Sequence, residues 1–274
     1  MECEICLNNL QKKYDSSFFK APVYYCSNCN HYTTYEKKEE MEKKLRKLYE
    51  NEFWDYETTE LASKTQFTDE ESLGKKRDWI SQYEYCKKFL SGKKRILEIG
   101  SGRGQNLYFF ENRGHQVFGV EPDKKNVDFS NKVLRDGKVI KSFIENVQFD
   151  EKFDIIWINH VLEHIINPKD FLKKIKNHLQ KGGIIFLAVP DCENELILNA
   201  SINKTPTINH FSTKSISKMT EDEFHIVSID CFRPAKKMDG IMQKIFHNHP
   251  FYPRIKDECK NGKEIRVILK IKKI

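Results

Sequence analysis

From residue 95 onward, short apolar runs alternate with helix-spaced stretches. RILEIG, QVFGVEP, KVIKSFI, FDIIWIN and IIFLAVP read as strands, while 105–112, 125–134 and 170–178 read as helices. Short apolar strands alternating with helices predict a parallel sheet covered on both faces. HIVSIDCF and EIRVILKIKK supply two late strands, and a further helix is expected near 212–219. Ahead of this block, 36–49 predicts an amphipathic helix with Met41, Leu45 and Leu48 on one face. A second helix over 76–90 turns Trp79, Ile80, Tyr83, Cys86 and Leu90 inward. The boundaries suggested are a small module at 1–35, a helical linker at 36–92 and a main domain at 93–274.

The first module has too little apolar content to hold itself together, so its cysteines matter. Cys3 and Cys6 form one C-x2-C pair, Cys26 and Cys29 another, with nineteen residues between. That spacing suits a four-cysteine zinc site in which two knuckles complete a tetrahedron. A structural metal would supply the missing folding free energy; two disulfides or four idle thiols are the alternative. Phe18, Phe19, Tyr24 and Tyr25 beside Lys12, Lys13 and Lys20 could face RNA, but packing against the main domain is the favoured reading. Cys86, Cys192, Cys231 and Cys259 are scattered and read as small buried apolar groups in a reducing compartment.

Composition narrows the classes. The 274 residues are 39% apolar and 32% charged, so a packed core with an ionic surface is expected. No 18-residue apolar run occurs, and MECEICLNNL is not a leader, which gives the expectation of a soluble, cytoplasmic protein with no membrane partner. The net charge of +7 permits an anionic partner, although Lys-rich helices are usually solvated faces.

The stretch ILEIGSGRGQN carries the first candidate chemistry. Gly100, Gly102 and Gly104 follow a strand and precede a helix, the position at which bare backbone meets a ligand in a doubly wound sheet. The spacing is G-x-G-x-G rather than the dinucleotide G-x-G-x-x-G. Glu121 ends the next strand, where a carboxylate can accept both hydrogen bonds of a ribose diol. Glu98, on the first strand, lies where a cationic ligand group would sit.

With FDIIWINHVLEHIINPKDFLKKIKNHLQKGGIIFLAVPD at 153–191, the chain resembles the S-adenosylmethionine-dependent methyltransferases of the Rossmann-like class. Asp154, the HVLEH run, Pro168, Phe171, Leu172 and the KGG turn stand where that family has them. The resemblance implies a seven-stranded, mostly parallel sheet with its last strand antiparallel. The cysteine knot followed by KLRKLYENEFWDY is similar to a bacterial subgroup acting on sugars and other small molecules; that subgroup's frequent further carboxyl-terminal domain is not found here.

By this resemblance Gly100, Ser101, Gly102 and Gly104 line the cofactor, and Glu121 with Pro122 holds the ribose. The 142–145 turn, with Ile144, borders adenine, and Asn159 faces the methyl-bearing end. Phe53 and Trp54 could close over the cofactor. A hydroxyl acceptor loses a proton, and His160, His210 and His164 are the candidate bases, the first two preferred. Some quinone and small-RNA 2′-O-methyltransferases bind a divalent metal at matching positions, which implies a possible second metal at Glu163, His164 and His210. Residues 192–258 should shape the acceptor side, with Phe232, Arg233, His247, His249, Tyr252 and Arg254 as candidates. The leading expectation is methylation of a small hydroxyl-bearing acceptor such as a sugar or surface-glycan precursor. The alternatives are a zinc-knuckle RNA methyltransferase and a non-catalytic binding protein of the same fold.

Overall fold

The computed structural model describes residues 1–49, 73–143, 146–147, 149–235, 239 and 254–272. The amino-terminal segment folds as an antiparallel ribbon of β1 (Gln11–Ser16), β2 (Ala21–Cys26) and β3 (His31–Thr34). Helix α1 (Lys38–Lys47) follows and buries Met41 and Leu45 against Phe19, Ala21 and Ile208. Phe19 is thus buried, as the packing reading anticipates, while Phe18 stays exposed.

Helix α2 (Leu73–Cys86) leads into the main sheet. The chain then runs β4 (Arg95–Ile99), α3 (Gln105–Glu111), β5 (Gln116–Glu121), α4 (Lys124–Val133), β6 (Lys138–Lys141), β7 (Phe153–Asn159), α5 (Pro168–Ile175) and β8 (Leu179–Pro190). It continues through α6 (Glu195–Lys204), β9 (Asn209–His210), α7 (Thr213–Thr220), β10 (Phe224–Pro234), β11 (Arg254–Asp257) and β12 (Glu264–Ile271).

Eight strands form the main sheet in the order β11-β10-β12-β8-β7-β4-β5-β6. β4 through β8 pair in parallel, β12 runs antiparallel to both β8 and β10, and β11 adds an antiparallel edge. The expected seven-stranded arrangement is present, with β11 as an eighth strand. Alternate residues of each strand enter two buried clusters: Leu97, Ile156 and Ile158 on one face, Ile96, Ile155 and Trp157 on the other. Burial on both faces is why these strands read as continuous apolar runs.

The direction of winding reverses between β4 and β7. Connections β4→β5→β6 proceed outward on one side, and β7 returns to the other side of β4, leaving a crevice at their carboxyl ends.

The module is woven into this domain. β3 pairs with β9 through Tyr32 opposite His210 and Thr33 opposite Asn209, so one four-stranded sheet draws strands from both parts of the chain. Ser16 Oγ donates to the Ile202 carbonyl at 2.6 Å, Thr34 N to the Ile208 carbonyl at 2.8 Å, and Ser212 Oγ to the Cys29 carbonyl at 3.3 Å. Cys3, Cys26 and Cys29 share a buried cluster with Phe211, Ile216 and Met219.

Three sequence expectations change. β8 begins at Leu179 and carries the KGG stretch inside the strand as an irregularity, with Gly182 at φ 83. Within the 192–258 acceptor-side region, helix α6 forms at 195–204, where no element was expected; Asn194 caps it by accepting from Leu196 N and Ile197 N. Cys86 and Cys192 are buried thiols as expected, but Cys231 and Cys259 form a disulfide. Among the described residues no helix is long and apolar enough to cross a membrane.

Candidate active site

β4 ends in the glycine loop, and its first turn is fixed by the sheet: Gly100 N and Ser101 N both donate to the Val120 carbonyl on β5. Gly100 adopts φ 67, and a Cβ there would stand 2.4 Å from Val161 Cγ2, so only glycine fits. Gly104, at φ 75, opens α3; its Cβ would meet Ser130 Oγ at 2.9 Å, which sets how closely α4 approaches the loop.

The two acids predicted from the strands converge on this loop. Glu121 accepts from Gly102 N at 2.9 Å and Asp123 N at 3.0 Å, so it anchors the loop as well as facing the crevice. Burial outweighs those bonds and pushes its pKa up to about 7. Glu98 accepts from Asn106 Nδ2 at 2.7 Å through one oxygen, while its other oxygen is buried with no partner among the described residues. Burial raises its pKa to about 8. An orphaned buried carboxylate oxygen is a costly feature that a cationic ligand group would relieve. Ser101 Oγ is likewise buried and unpartnered beside it.

These groups line a cavity of about 790 Å³, together with Pro122, Ser142, Phe143 and Asn159. Asn159 Oδ1 accepts from Gln82 Nε2 at 2.9 Å, which ties α2 to the tip of β7. Ile144, Phe53, Trp54, His247, His249 and Tyr252 lie outside the described residues.

The same cavity is lined by His160, Glu163 and His164, which follow β7 beside the glycine loop. His160 takes the left-handed conformation, φ 55, and both its nitrogens meet carboxylates: Nδ1 lies 3.3 Å from Glu163 and Nε2 lies 3.0 Å from Glu264. Its side chain is 43% accessible because one face opens on the cavity while protein encloses the rest. Burial alone would lower its pKa, but the two carboxylates prevail and carry it up to about 10. Burial works to raise Glu264, yet Arg266 and His160 hold it well below the carboxylate range. An imidazolium clamped at both nitrogens has no lone pair, so His160 does not have the form of a proton acceptor.

His164 differs. Its Nδ1 lies 2.8 Å from the Pro206 carbonyl, which can only accept, so Nδ1 carries a proton and any lone pair of the ring is on Nε2. Nε2 stands 3.9 Å from Glu163 Oε1.

His210 is elsewhere. It sits in β9 against the module and is not among the residues of the cavity wall. Its Nδ1 meets Ser201 Oγ at 2.7 Å, and burial drives its pKa down to about 3. Of the three candidate histidines, His160 and His164 line the cavity and His210 does not. Glu163, His164 and His210 do not converge as a metal site; among the described residues only two groups bring three or more ligand atoms within 4.8 Å. Phe232 is buried beneath Arg266, and Arg233 is tied to Asp239 and Asp257.

The first of those groups is Cys3, Cys6, Cys26 and Cys29. Cys3 and Cys29 sulfurs lie 3.6 Å apart and Cys6 and Cys26 sulfurs 3.4 Å. Bonds of about 2.3 Å around a tetrahedral zinc place thiolates about 3.7 Å apart, so the donor set fits.

Sequence reading did not single out Gln82, Glu264, Arg266 or the 205–207 wall. Glu264 and Arg266 carried a signal: two charged residues, spaced by two, on one face of the apolar run EIRVILKI.

The methyltransferase-domain family profile matches residues 53–229. The chain belongs to that family. A 117-residue stretch is 35% identical to the uncharacterized protein MJ1123 of Methanocaldococcus jannaschii, covering 42% of this chain and 54% of that one. A 100-residue stretch is 31% identical to a ubiquinone biosynthesis O-methyltransferase of Pelagibacter ubique, covering 34% and 41%. The matches thus span about half the length of these relatives or less. The plantazolicin methyltransferase BpumL, solved with a monoazolic desmethylPZN analog and SAH, shares the fold, with TM-score 0.55, 15% identity and coverage of 86% of this chain and 99% of that one.

Proposed function

We propose that this methyltransferase-family protein transfers a methyl group from S-adenosylmethionine to the hydroxyl of a small acceptor. The observation that carries the reading is that one cavity is lined both by the Gly100–Glu121–Glu98 cradle and by His164, whose Nδ1 is held on the Pro206 carbonyl so that Nε2 is the nitrogen able to accept a proton. When bound, S-adenosylmethionine supplies an electrophilic methyl on a sulfonium. The glycine loop would receive it with bare backbone, Glu121 would accept from the ribose diol, and Glu98 would take the ammonium group on its orphaned oxygen. Asn159, fixed by Gln82, would face the methyl-bearing end. His164 Nε2 accepts the hydroxyl proton while Nδ1–H stays on the Pro206 carbonyl, and Glu163 beside it favours the imidazolium so formed. The remaining contribution is alignment and exclusion of water.

Leu45, Ile165, Ile166 and Phe171 give part of the wall an apolar character. Together with the relatives named ubiquinone biosynthesis O-methyltransferases, this favours an acceptor with an apolar face, such as an alkylated phenol, beside the sugar or glycan precursor expected from the amino-terminal module. In the same reading the four-cysteine cluster holds a structural zinc. The test is SAH production from S-adenosylmethionine with nucleotide sugars, alkylated phenols and RNA offered separately. Turnover with a small hydroxyl compound is expected; turnover with RNA alone would sink the small-acceptor reading.

A further inference from the structure

A second cluster of ligand atoms lies away from the cavity. Asp191 follows β8, Cys231 lies on β10, and Cys259 opens the short 3-10 turn before β12; their ligand atoms are mutually within 4.8 Å. The sulfurs are joined as a disulfide. Asp191 is fully buried. One of its oxygens accepts from Glu193 N at 3.0 Å, and the other, Oδ2, has no hydrogen-bond partner among the described residues. That oxygen faces Gly262, where a Cβ would stand only 2.7 Å from it and 3.1 Å from Cys231 Cβ. Gly262 is held by its own N–H to the Cys259 carbonyl and by Asn194 Nδ2 to its carbonyl. A buried carboxylate facing two bonded sulfurs finds no donor there.

We propose that in its reduced form this cluster is a second metal site, distinct from the four-cysteine one, taking a zinc-class cation on Cys231 Sγ, Cys259 Sγ and Asp191 Oδ2. The redox argument is internal to the molecule. Cys3, Cys6, Cys26 and Cys29 can bind metal only as reduced sulfurs, and conditions in which that cluster is loaded favour the dithiol at 231 and 259 as well. Reduction needs a dithiol reductant: it gives up two electrons and two protons, the Cys231–Cys259 bond breaks to two thiols, and the reductant becomes a disulfide. Metal binding then releases both thiol protons to solvent. Two thiolates and one carboxylate leave the bound cation with net charge −1 and a fourth position for water. The sulfurs must part to about 3.7 Å to share a tetrahedral ion. Cys259 is half-buried on a three-residue turn, the less enclosed of the two sulfurs. Pro190, the residue before Asp191, lines the active-site cavity, so the site adjoins that wall through a single peptide.

The experiment is metal content of the full chain after treatment with a dithiol reductant and anaerobic incubation with Zn(II). Wild type is compared with the Cys231→Ser/Cys259→Ser double variant, and SAH binding reports that each is folded. Wild type is expected to hold one zinc more per chain than the double variant, whatever the four-cysteine cluster retains. Wild type kept oxidised should lack that extra zinc. Asp191→Asn keeps both sulfurs and serves if the double variant does not fold; its extra zinc should bind about tenfold more weakly. Equal zinc in reduced wild type and double variant overturns the proposal, as does unchanged affinity in Asp191→Asn.

Discussion

At the scale of single residues the two crevice acids set an expected pH response. Glu98 and Glu121 have folded pKa values of about 8 and about 7 against an ordinary 4.5, because burial disfavours their charge. Raised folded values mean that their contribution to stability is present below pH 4.5 and is lost as pH climbs through 7 and 8. A ligand that donates to both carboxylates favours the ionised forms, so its binding releases protons. SAH should therefore bind more tightly at pH 8 than at pH 6, with proton release seen by calorimetry in buffers of different ionisation enthalpy; a flat profile would remove both acids from the ligand contact. Glu121→Ala should weaken SAH binding by about 1–3 kcal/mol through loss of charge-assisted bonds. His164→Gln should lower kcat by about 10²–10⁴-fold while SAH affinity holds, which separates a base from a residue of the cofactor wall. The acids were legible in the sequence because strand ends are countable. The clamping of His160 was not, since it depends on Glu264, a hundred residues away in sequence, reaching its Nε2.

At the scale of elements, the strands and helices of the main domain were legible from apolar runs and helical spacing, with FDIIWIN coinciding with β7. The missed elements share a physical cause. α6 shows little amphipathic contrast because it packs on β8 and β1 with Leu198, Ser201 and Ile202 while Leu196 is exposed. β9 is two residues long and exists only through its pairing with β3. That pairing gives the four-cysteine cluster a consequence for the cavity. Thr34 N holds the Ile208 carbonyl and Thr34 Oγ1 the Thr207 carbonyl, and Thr207 and Pro206 line the cavity, Pro206 also fixing His164. Chelation, or Cys29→Ser, should loosen β3, lower the thermal midpoint and raise acceptor KM more than SAH Kd. Equal effects on both constants would mean that the ribbon does not transmit to the acceptor wall.

At the scale of the whole molecule the question is whether residues 1–35 are an appendage or part of one fold. A sequence boundary near residue 35 suggests a separable module, because long-range pairing leaves no local trace in the pattern. The structure gives the ribbon its fourth strand from the main domain, and the ribbon's cysteines enter the same buried cluster as β4, β7 and α7. Residues 1–35 carry three lysines against three acids, so the net charge of +7 belongs to the rest of the chain. Removing residues 1–35 would strip the partners of Ile202, Ile208, Asn209 and Ser212 and open a hydrophobic face over Phe211 and Ile216, both now fully buried. Burial is worth about 25 cal/mol per Å² of apolar surface, so exposing several such side chains is comparable with the whole stability of a domain, about 5–15 kcal/mol. The truncated chain is expected to be insoluble, or to lose the slowest-exchanging amides of β8 and β12 in hydrogen exchange. A soluble truncation with native protection across those strands and unchanged SAH affinity would show that the main domain is self-sufficient and that the shared sheet is a docking contact only.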